Sequence, residues 1–579
     1  MIRKNQISWQ IKIIVAFLAI GLGVLFGFLT MRMPSPVPPS AGGVSAYNMQ
    51  AHLNVIAAEK RSELHPERRL YVRDYIIGVM QGFGLEAEIY DFTLEVETWS
   101  SYMHNLFTYI HGTTGDFYFT NYHDWQHDLA GTHFEGSNLL FRQQGASDTA
   151  IMLIAHYDSV ALPGNLNPNF MSISYGAADA GYGVSAMLEV ARYFAGKELE
   201  NTIYFLFTDL HEIGLWGAFD AINTIDFSNV SMILNLEARG IRGPVHMFET
   251  PPNNLEVMRF YRDALSMRSV QPMSYSIAAA IFYMMPNGSD LTLFLRDGFT
   301  GMNFASLDNV RYYHTYRDSL DFISLTTMQH YAEKITALVY TFATNAEFSN
   351  PEIFNSSQTG VFFPLPFNIF VLYSENVALI LGIIAVMVVL FAYFVFRDDI
   401  CIKKVLAWAG VLILSIILAA GVGLLASFVI SLITGDAFNI VYMPTAPEMP
   451  IMLILTACAL NAFVILHLIF KNKFSATEMG LAGVTLLVVA TISLQFIMVE
   501  ATFLTLIPLI ATLPLIISKF NDKLSLVFTF IAVVLTITLL IPVIISFIIA
   551  LTVGALAITL ALSILMCMAL PPLFISSNN

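Results

Sequence analysis

A chain of 579 residues is too long for one ordinary domain, and this one is 56% hydrophobic and only 12% charged, against roughly a quarter charged in a soluble domain, so a purely soluble protein is excluded. The net charge is −15 and unevenly spread. Residues 35–365 hold about 17 basic and about 35 acidic side chains, which argues against a nucleic-acid partner, because phosphate binding needs a basic patch. The three cysteines, Cys401, Cys458 and Cys567, lie in or beside apolar segments. The polar region therefore has no disulfide framework and no thiolate metal site, and any metal there must use His, Asp and Glu.

Met1 to Lys12 is polar and carries Arg3, Lys4 and Lys12. Ile13 to Met31 is an unbroken apolar run, long enough to span a bilayer as a helix and longer than the apolar core of a signal peptide. Residues 1–33 are expected to be a cytoplasmic tail and an uncleaved transmembrane anchor, and 34–44, rich in Pro, Gly and Ser, a linker. A globular domain is expected over 45–348. It opens with helical periodicity between Ala51 and Gly84, followed by short strands and loops to about 150. From Ile151 the pattern alternates: strand IMLIA, helix VSAMLEVARYFA, strand IYFLF, a helix after Gly217, strand VSMILNL. Strands alternating with helices indicate α/β architecture with a mixed, largely parallel sheet.

After a second linker, 349–376, seven apolar segments follow: 377–396, 405–433, 450–470, 479–499, 501–518, 524–543 and 548–570. The last two form almost one run, with a turn expected near Pro542 to Ser546. Residues 377–573 thus read as an all-α polytopic membrane domain, followed by a short tail, 574–579. Basic clusters at Arg397, Lys403 and Lys404, at Lys471 and Lys473, and at Lys519 and Lys523 fall on the same side as the N-terminal one. Basic loops stay cytoplasmic, so both termini are expected in the cytoplasm and the globular domain across the membrane, whether cell, reticulum or vacuolar. No charged residue lies mid-span, which weighs against an ion pathway.

The chemistry-bearing stretch is FLFTDLHEIGLWGA, Phe205 to Ala218. An apolar strand ending in a polar cluster before a glycine turn suits a site at the carboxyl end of a parallel sheet. Five residues form an ordered set: His156 in LIAHYDSV, Asp179 in YGAADAGYG, Glu212 in DLHEIGL, Glu237 in ILNLEARG and His314 in RYYHTYRD. Alone, each is an ordinary residue; a strand-end histidine is usually structural and an aspartate before a helix is usually a cap. Together, each at or beside a strand end, they offer two imidazoles and three carboxylates, a donor set that suits zinc. Five donors exceed the need of one tetrahedral ion and suit two ions sharing a carboxylate. Asp158 could hold the His156 imidazole from behind.

The order and local sequence of HYDS, GAADAGYG, DLHEIGL, NLEARG and YYHT resemble peptidase family M28, the zinc exopeptidases that include aminopeptidase Y, secreted bacterial leucyl aminopeptidases and glutamate carboxypeptidase II. PNGSDLTLF, with Asp290, also resembles a family segment. The likeness covers about residues 45–345. The flanking spans resemble the membrane-bound branch, with its endoplasmic reticulum metallopeptidase and vacuolar membrane protease. The resemblance implies an α/β/α sandwich and two Zn2+ ions. His156 and Glu237 would hold one ion, Glu212 and His314 the other, and Asp179 would bridge them. It implies hydrolysis of a peptide substrate, aminopeptidase-like. Two departures stand out. The family usually has Asp where Glu237 stands. It also has a general-base Glu where this chain has His211, which can carry a proton near neutral pH but has a different reach. That leaves a second reading: a catalytically impaired relative binding peptides or partners at the membrane. A third is a related reaction such as glutaminyl cyclisation.

Overall fold

The computed structural model describes residues 7–95, 133–161, 174–284, 288–435, 438 and 449–574. Arg3, Lys4 and the tail beyond 574 lie outside them. The chain divides into two units, one of Met33–Thr359 and one of Met1–Arg32 with Gly360–Asn579. It begins with α1 (Trp9–Thr30), which belongs to the second unit.

The first unit is built on seven strands: β1 (Ala87–Glu95), β2 (His133–Gln143), β3 (Ser147–His156), β4 (Asn201–Thr208), β5 (Val230–Ala238), β6 (Arg242–Glu249) and β7 (Gly301–Asp308). Their order is β1-β2-β4-β3-β5-β7-β6. The central four, β4-β3-β5-β7, are parallel, and the outer pairings are antiparallel. Every residue of β4 and β5 is buried, as expected for parallel strands covered on both faces, whose sequences run apolar instead of alternating.

Helices cover both faces. The Ala51–Gly84 periodicity resolves into α2 (Ala46–Ile56) and α3 (Pro66–Gly82). With α4 (Gly181–Phe194) they lie on one side, where α9 (Leu325–Ala343) also packs. On the other side are α5 (Trp216–Thr224) and α8 (Asp290–Arg296). There Met152, Ile154, Leu206 and Ile233 of the sheet meet Ala218 and Ala221 of α5 and Leu291 and Phe294 of α8 in one buried core. α6 (Leu255–Met267) leans on α9, and α7 (Ser276–Met284) on β6. The approach of α4 to the sheet demands glycine: a Cβ on Gly183 would lie 2.4 Å from the Leu236 carbonyl oxygen. From β3 the chain crosses to β4 on one side, then from β4 to β5 on the other. That reversal opens a crevice at the carboxyl end of β3.

The stretch 349–376, expected as plain linker, contains a β-hairpin of β8 (Gly360–Leu365) and β9 (Ile369–Ser374). The helical unit then continues with α10 (Glu375–Phe396), α11 (Ile402–Thr434), α12 (Met449–Phe470) and α13 (Ala476–Ile497). The segment expected as one span over 501–518 is present as an irregular helical run, Val499–Ile517, in which α14 (Phe503–Leu506), a 3-10 turn begun by Pro508 and α15 (Thr512–Ile517) follow one another. Next, α16 (Asp522–Leu551) runs straight through Pro542, so the expected turn at Pro542–Ser546 is not there. The chain reverses instead at Thr552–Ala555, where Thr552 has φ +56°, and resumes as α17 (Leu556–Cys567). Neighbouring helices can re-satisfy the carbonyl that a proline frees, so proline is a weaker breaker here than in water. Seven segments among the described residues are long and apolar enough to cross a membrane, from Trp9–Thr30 to the bent Asp522–Leu573. α1 is an integral part of this unit: Gly23 and Gly27 press on Ile537 and Ile541 of α16, where a Cβ on either glycine would come within 2.7 Å.

Candidate metal centre

Strand register delivers the first groups. In the parallel ladder His156 pairs with Thr208 at the end of β4, and Ile154 pairs with Asn235 of β5. Two residues further along, His156 therefore comes alongside Glu237. Asp179 arrives from the turn that opens α4, and Glu212 from the turn after β4. That turn is forced close beneath the strand end: a Cβ on Gly217 would lie 2.3 Å from the Asp209 carbonyl oxygen. Leu210, Leu215 and His314 all adopt left-handed backbone conformations. Non-glycine residues rarely do so, and such residues cluster at functional sites.

The structure brings all five candidate ligands together. His156 is fully buried, and its Nε2 lies 3.4 Å from Asp179 Oδ1 and 3.6 Å from Glu237 Oε2. His314 Nε2 lies 3.3 Å from Asp179 Oδ2 and 3.2 Å from Glu212 Oε2. Each oxygen of Asp179 thus faces one histidine–glutamate pair. Burial raises the Asp179 carboxyl, but His156 and His314 outweigh it and hold it well below the usual carboxylate range. Burial lowers the His314 imidazole, yet Glu212 and Asp179 carry it up to about 10. Among the described residues the buried Glu212 Oε1 has no hydrogen-bond partner, and neither has His314 Nε2, despite the two oxygens close to it. His156 Nε2 makes only a long hydrogen bond, 3.4 Å, to Asp179 Oδ1, and nitrogens and oxygens that converge with so few good hydrogen bonds fit a divalent ion between them.

The surroundings hold these groups in place. Asp158 accepts at its two oxygens from the backbone N–H of His211 (3.2 Å) and of Glu212 (3.1 Å), and one of those oxygens is 3.3 Å from His156 Nδ1. One carboxylate therefore orients both the His156 imidazole and the turn that carries Glu212, two of the candidate ligands. Asp318 accepts from the N–H groups of Ala178 and Asp179 at 2.7 and 3.2 Å. The fully buried Arg61 guanidinium donates to the carbonyls of Tyr157, Tyr175 and Gly176, tying the loop before α3 to the end of β3 beside His156 and to the turn that carries Asp179.

His211 stands one residue before Glu212 with its ring stacked on His156, centroids 4.0 Å apart and planes 8° from parallel. Its Nδ1 lies 2.7 Å from Asp290 Oδ1, and Asp290 Oδ2 accepts from Thr208 Oγ1 at 2.6 Å. Its Nε2 points the other way, 4.0 Å from Glu237 Oε1. Burial and His156 lower this imidazole, but Asp290 and Glu237 bring it up to about 9. Donor atoms of His156, His211 and Glu237 lie within 4.8 Å of one another, as do those of His156, Asp179 and Glu212. Arg61, Thr208 and Asp318 carried no sequence signal of their own. The segment of Asp290 did, through its resemblance, but not its partner.

Residues 138–339 match the family described as Peptidase family M28. A vacuolar membrane protease of Schizosaccharomyces japonicus is 30% identical over 204 residues, 34% of this chain and 22% of that protein. One of Candida dubliniensis is 28% identical over 208 residues, 34% of this chain and 20% of that protein. The aligned part is thus a small share of the curated relatives' length. Among solved structures, an aminopeptidase from Aneurinibacillus sp. strain AM-1 aligns at 15% identity and a TM-score of 0.40, covering 52% of this chain and 94% of that chain.

Proposed function

We propose, from the match of residues 138–339 to peptidase family M28, that the chain is a membrane-embedded di-zinc exopeptidase, aminopeptidase-like, working on the extracytoplasmic side. The observation that carries the proposal is the division of Asp179, one oxygen toward His156 and Glu237 and the other toward His314 and Glu212. His156 and Glu237 would hold one ion, His314 and Glu212 the second, and Asp179 both. When bound, such a pair supplies positive charge that polarises a peptide carbonyl and acidifies a water.

His211 is the proton carrier in this reading. Asp290 holds the Nδ1 proton; the carboxylates around the ring favour its protonated form, two bound cations would oppose it, and in the neutral ring Nε2 would take a proton from the attacking water and return it to the departing amine. Asp290 is a positioning residue, itself fixed by Thr208. The extracytoplasmic placement rests on the alternating basic loops of the helical unit.

The test uses the full chain in lipid nanodiscs, loaded with zinc and given aminoacyl-amide substrates. Wild type should hydrolyse them. His211→Ala should lose about 10²–10⁴-fold in kcat with its metal content intact. Asp290→Asn should lower kcat more than it changes KM. If wild type and His211→Ala are equally silent while His211→Glu gains activity, the enzyme reading is lost and the impaired relative stands.

A further inference from the structure

Three neighbouring strands carry a row of polar side chains that the proposed chemistry does not use. In the sheet register Asn235 of β5 lies beside Asn303 of β7, and Asn303 beside Glu249 at the end of β6. All three are buried. Glu237 follows Asn235 by two residues, so both side chains leave β5 on the same face. Hydrogen bonds join the row. Asn235 Nδ2 donates to Glu237 Oε1 at 3.3 Å and to Asn303 Oδ1 at 3.2 Å, and Asn303 Nδ2 donates to Glu249 Oε2 at 2.8 Å. A second branch joins Glu249 to α8. Ser289 Oγ donates to Glu249 Oε2 at 3.0 Å, and Thr292 Oγ1 to Oε1 at 2.6 Å. Ser289 and Thr292 cap α8 reciprocally, each hydroxyl accepting from the other's backbone N–H. The residue between that cap and the first turn is Asp290, whose Oδ1 holds His211 Nδ1.

The bonds of the row have a direction, and Glu249 sets it. A carboxylate only accepts. The Asn303 amide must therefore turn its nitrogen to Glu249 and its oxygen to Asn235. Asn235 must then present its nitrogen to Asn303, and the second N–H of that nitrogen reaches Glu237. Both N–H bonds of Asn235 are committed in this way, while its Oδ1 has no partner among the described residues. With Glu237 Oε1 taken by that donor, Oε2 is the oxygen that faces His156 Nε2. On the other branch the Ser289 and Thr292 hydroxyls accept from backbone N–H groups and so have their protons to give. Burial raises the Glu249 carboxyl, and the bonds from Thr292, Asn303 and Ser289 oppose the rise. An amide at this position would set donor against donor. Asn303 and then Asn235 would have to turn over, and an amide oxygen would meet the Glu237 carboxylate.

We propose that Glu249 is a positioning residue that fixes the direction of this row, and through it orients Glu237 for its ion and Asp290 for His211. This rests on the peptidase reading of the metal centre, but its first readout needs no turnover. Zinc affinity of the full chain in nanodiscs is measured by competition with a chelator, and kcat and KM on aminoacyl amides are measured beside it. Glu249→Gln keeps the shape and reverses the polarity. It should weaken zinc binding by about 10- to 100-fold, the usual effect of losing a group behind a metal ligand, and lower kcat by a similar factor with KM little changed. Adding Asn303→Asp to Glu249→Gln exchanges donor and acceptor and lets Asn235 donate as before. This double variant should regain both zinc affinity and kcat. Unchanged zinc affinity and kcat in Glu249→Gln overturn the proposal, and so does a double variant as weak as the single one. Where Glu249→Gln alone does not fold, a folded double variant with the affinity of wild type supports the proposal, and one without it overturns it. Failure of both to fold marks a structural role and overturns it too. Zinc binding that depends on Glu249 in a chain that hydrolyses nothing sinks the peptidase reading and keeps this one. Hydrolysis with zinc affinity indifferent to Glu249 sinks this one alone, and a wild type that binds no zinc sinks both.

Discussion

The two units bury polar groups in opposite ways. In Met33–Thr359 the buried polar groups include a block of ionisable side chains that interlock: His156, Asp158, Asp179, Asp209, Asp290 and Asp318 with Arg61 and Arg69. In the helical unit they are mostly hydroxyls that answer to their own helix. Thr456, Thr491, Thr559 and Ser563 each donate to the carbonyl four residues back. Among its described residues, the buried His467 and Glu478 also bond backbone groups, the one the Phe463 carbonyl four residues back, the other the N–H groups of Ser475 and, across 77 residues, Cys401. A charge can be buried only with partners fixed around it, whereas a helical hydroxyl needs none beyond its own turn. Chemistry is therefore concentrated in the first unit, and each of its buried groups should weigh far more than its counterpart in the second.

The largest expected effect lies at Asp179, which faces both histidine–glutamate pairs. Asp179→Ala should lower kcat/KM on aminoacyl amides by at least roughly 10³-fold, because it removes charge stabilisation and the shared ligand together. Elemental analysis of the purified chain should show bound zinc falling in parallel. Retention of full zinc with this loss of activity would assign Asp179 to catalysis alone.

Glu63 gives the next effect, and its sign follows from linkage. Burial, with Asp158 and Glu212, pushes its carboxyl up to about 8 from an ordinary 4.5. Between those values the folded chain holds a proton that the unfolded chain has released. The favourable contribution of this group is complete below pH 4.5 and is lost as pH rises through 8. Glu63→Gln has no proton to lose, so its thermal midpoint relative to wild type should rise between pH 5.5 and 8.5. The slope is at most about 1.4 kcal/mol per pH unit. A difference that stays constant with pH would mean that Glu63 is ionised throughout, and the contrast between the units would shrink.

The same contrast explains what the sequence could tell. The parallel strands were legible as apolar runs, and each candidate ligand lay at or beside the end of one, because parallel sheets collect chemistry at their carboxyl edge. The partners of those ligands were not. Arg61 reaches Tyr157 across 96 residues and Asp290 reaches His211 across 79, and no local pattern encodes such pairings. The hairpin of β8 and β9 was hidden by Pro364 within it, since proline argues against a strand. Pro542 misled in the other direction, because the rule that proline ends a helix is learned from helices in water. The break came ten residues later, at a threonine with φ +56°.

That break supplies the smallest and most discriminating expectation. Breaking the helix at Thr552–Ala555 leaves carbonyls without helical donors, and Ser427 Oγ lies 2.6 Å from the Val553 oxygen and 3.0 Å from its own Gly423 oxygen. Ser427→Ala should cost only about 0.6 kcal/mol, the average for a polar contact between helices in lipid. A water or a shift in the turn can replace one hydroxyl, and no charge is stranded. Its thermal midpoint in nanodiscs should move by a degree or two at most, with hydrolysis of aminoacyl amides unchanged. A loss as large as that of Asp179→Ala would mean that the helical unit takes part in the chemistry, and the division of labour between the units would fail at that residue.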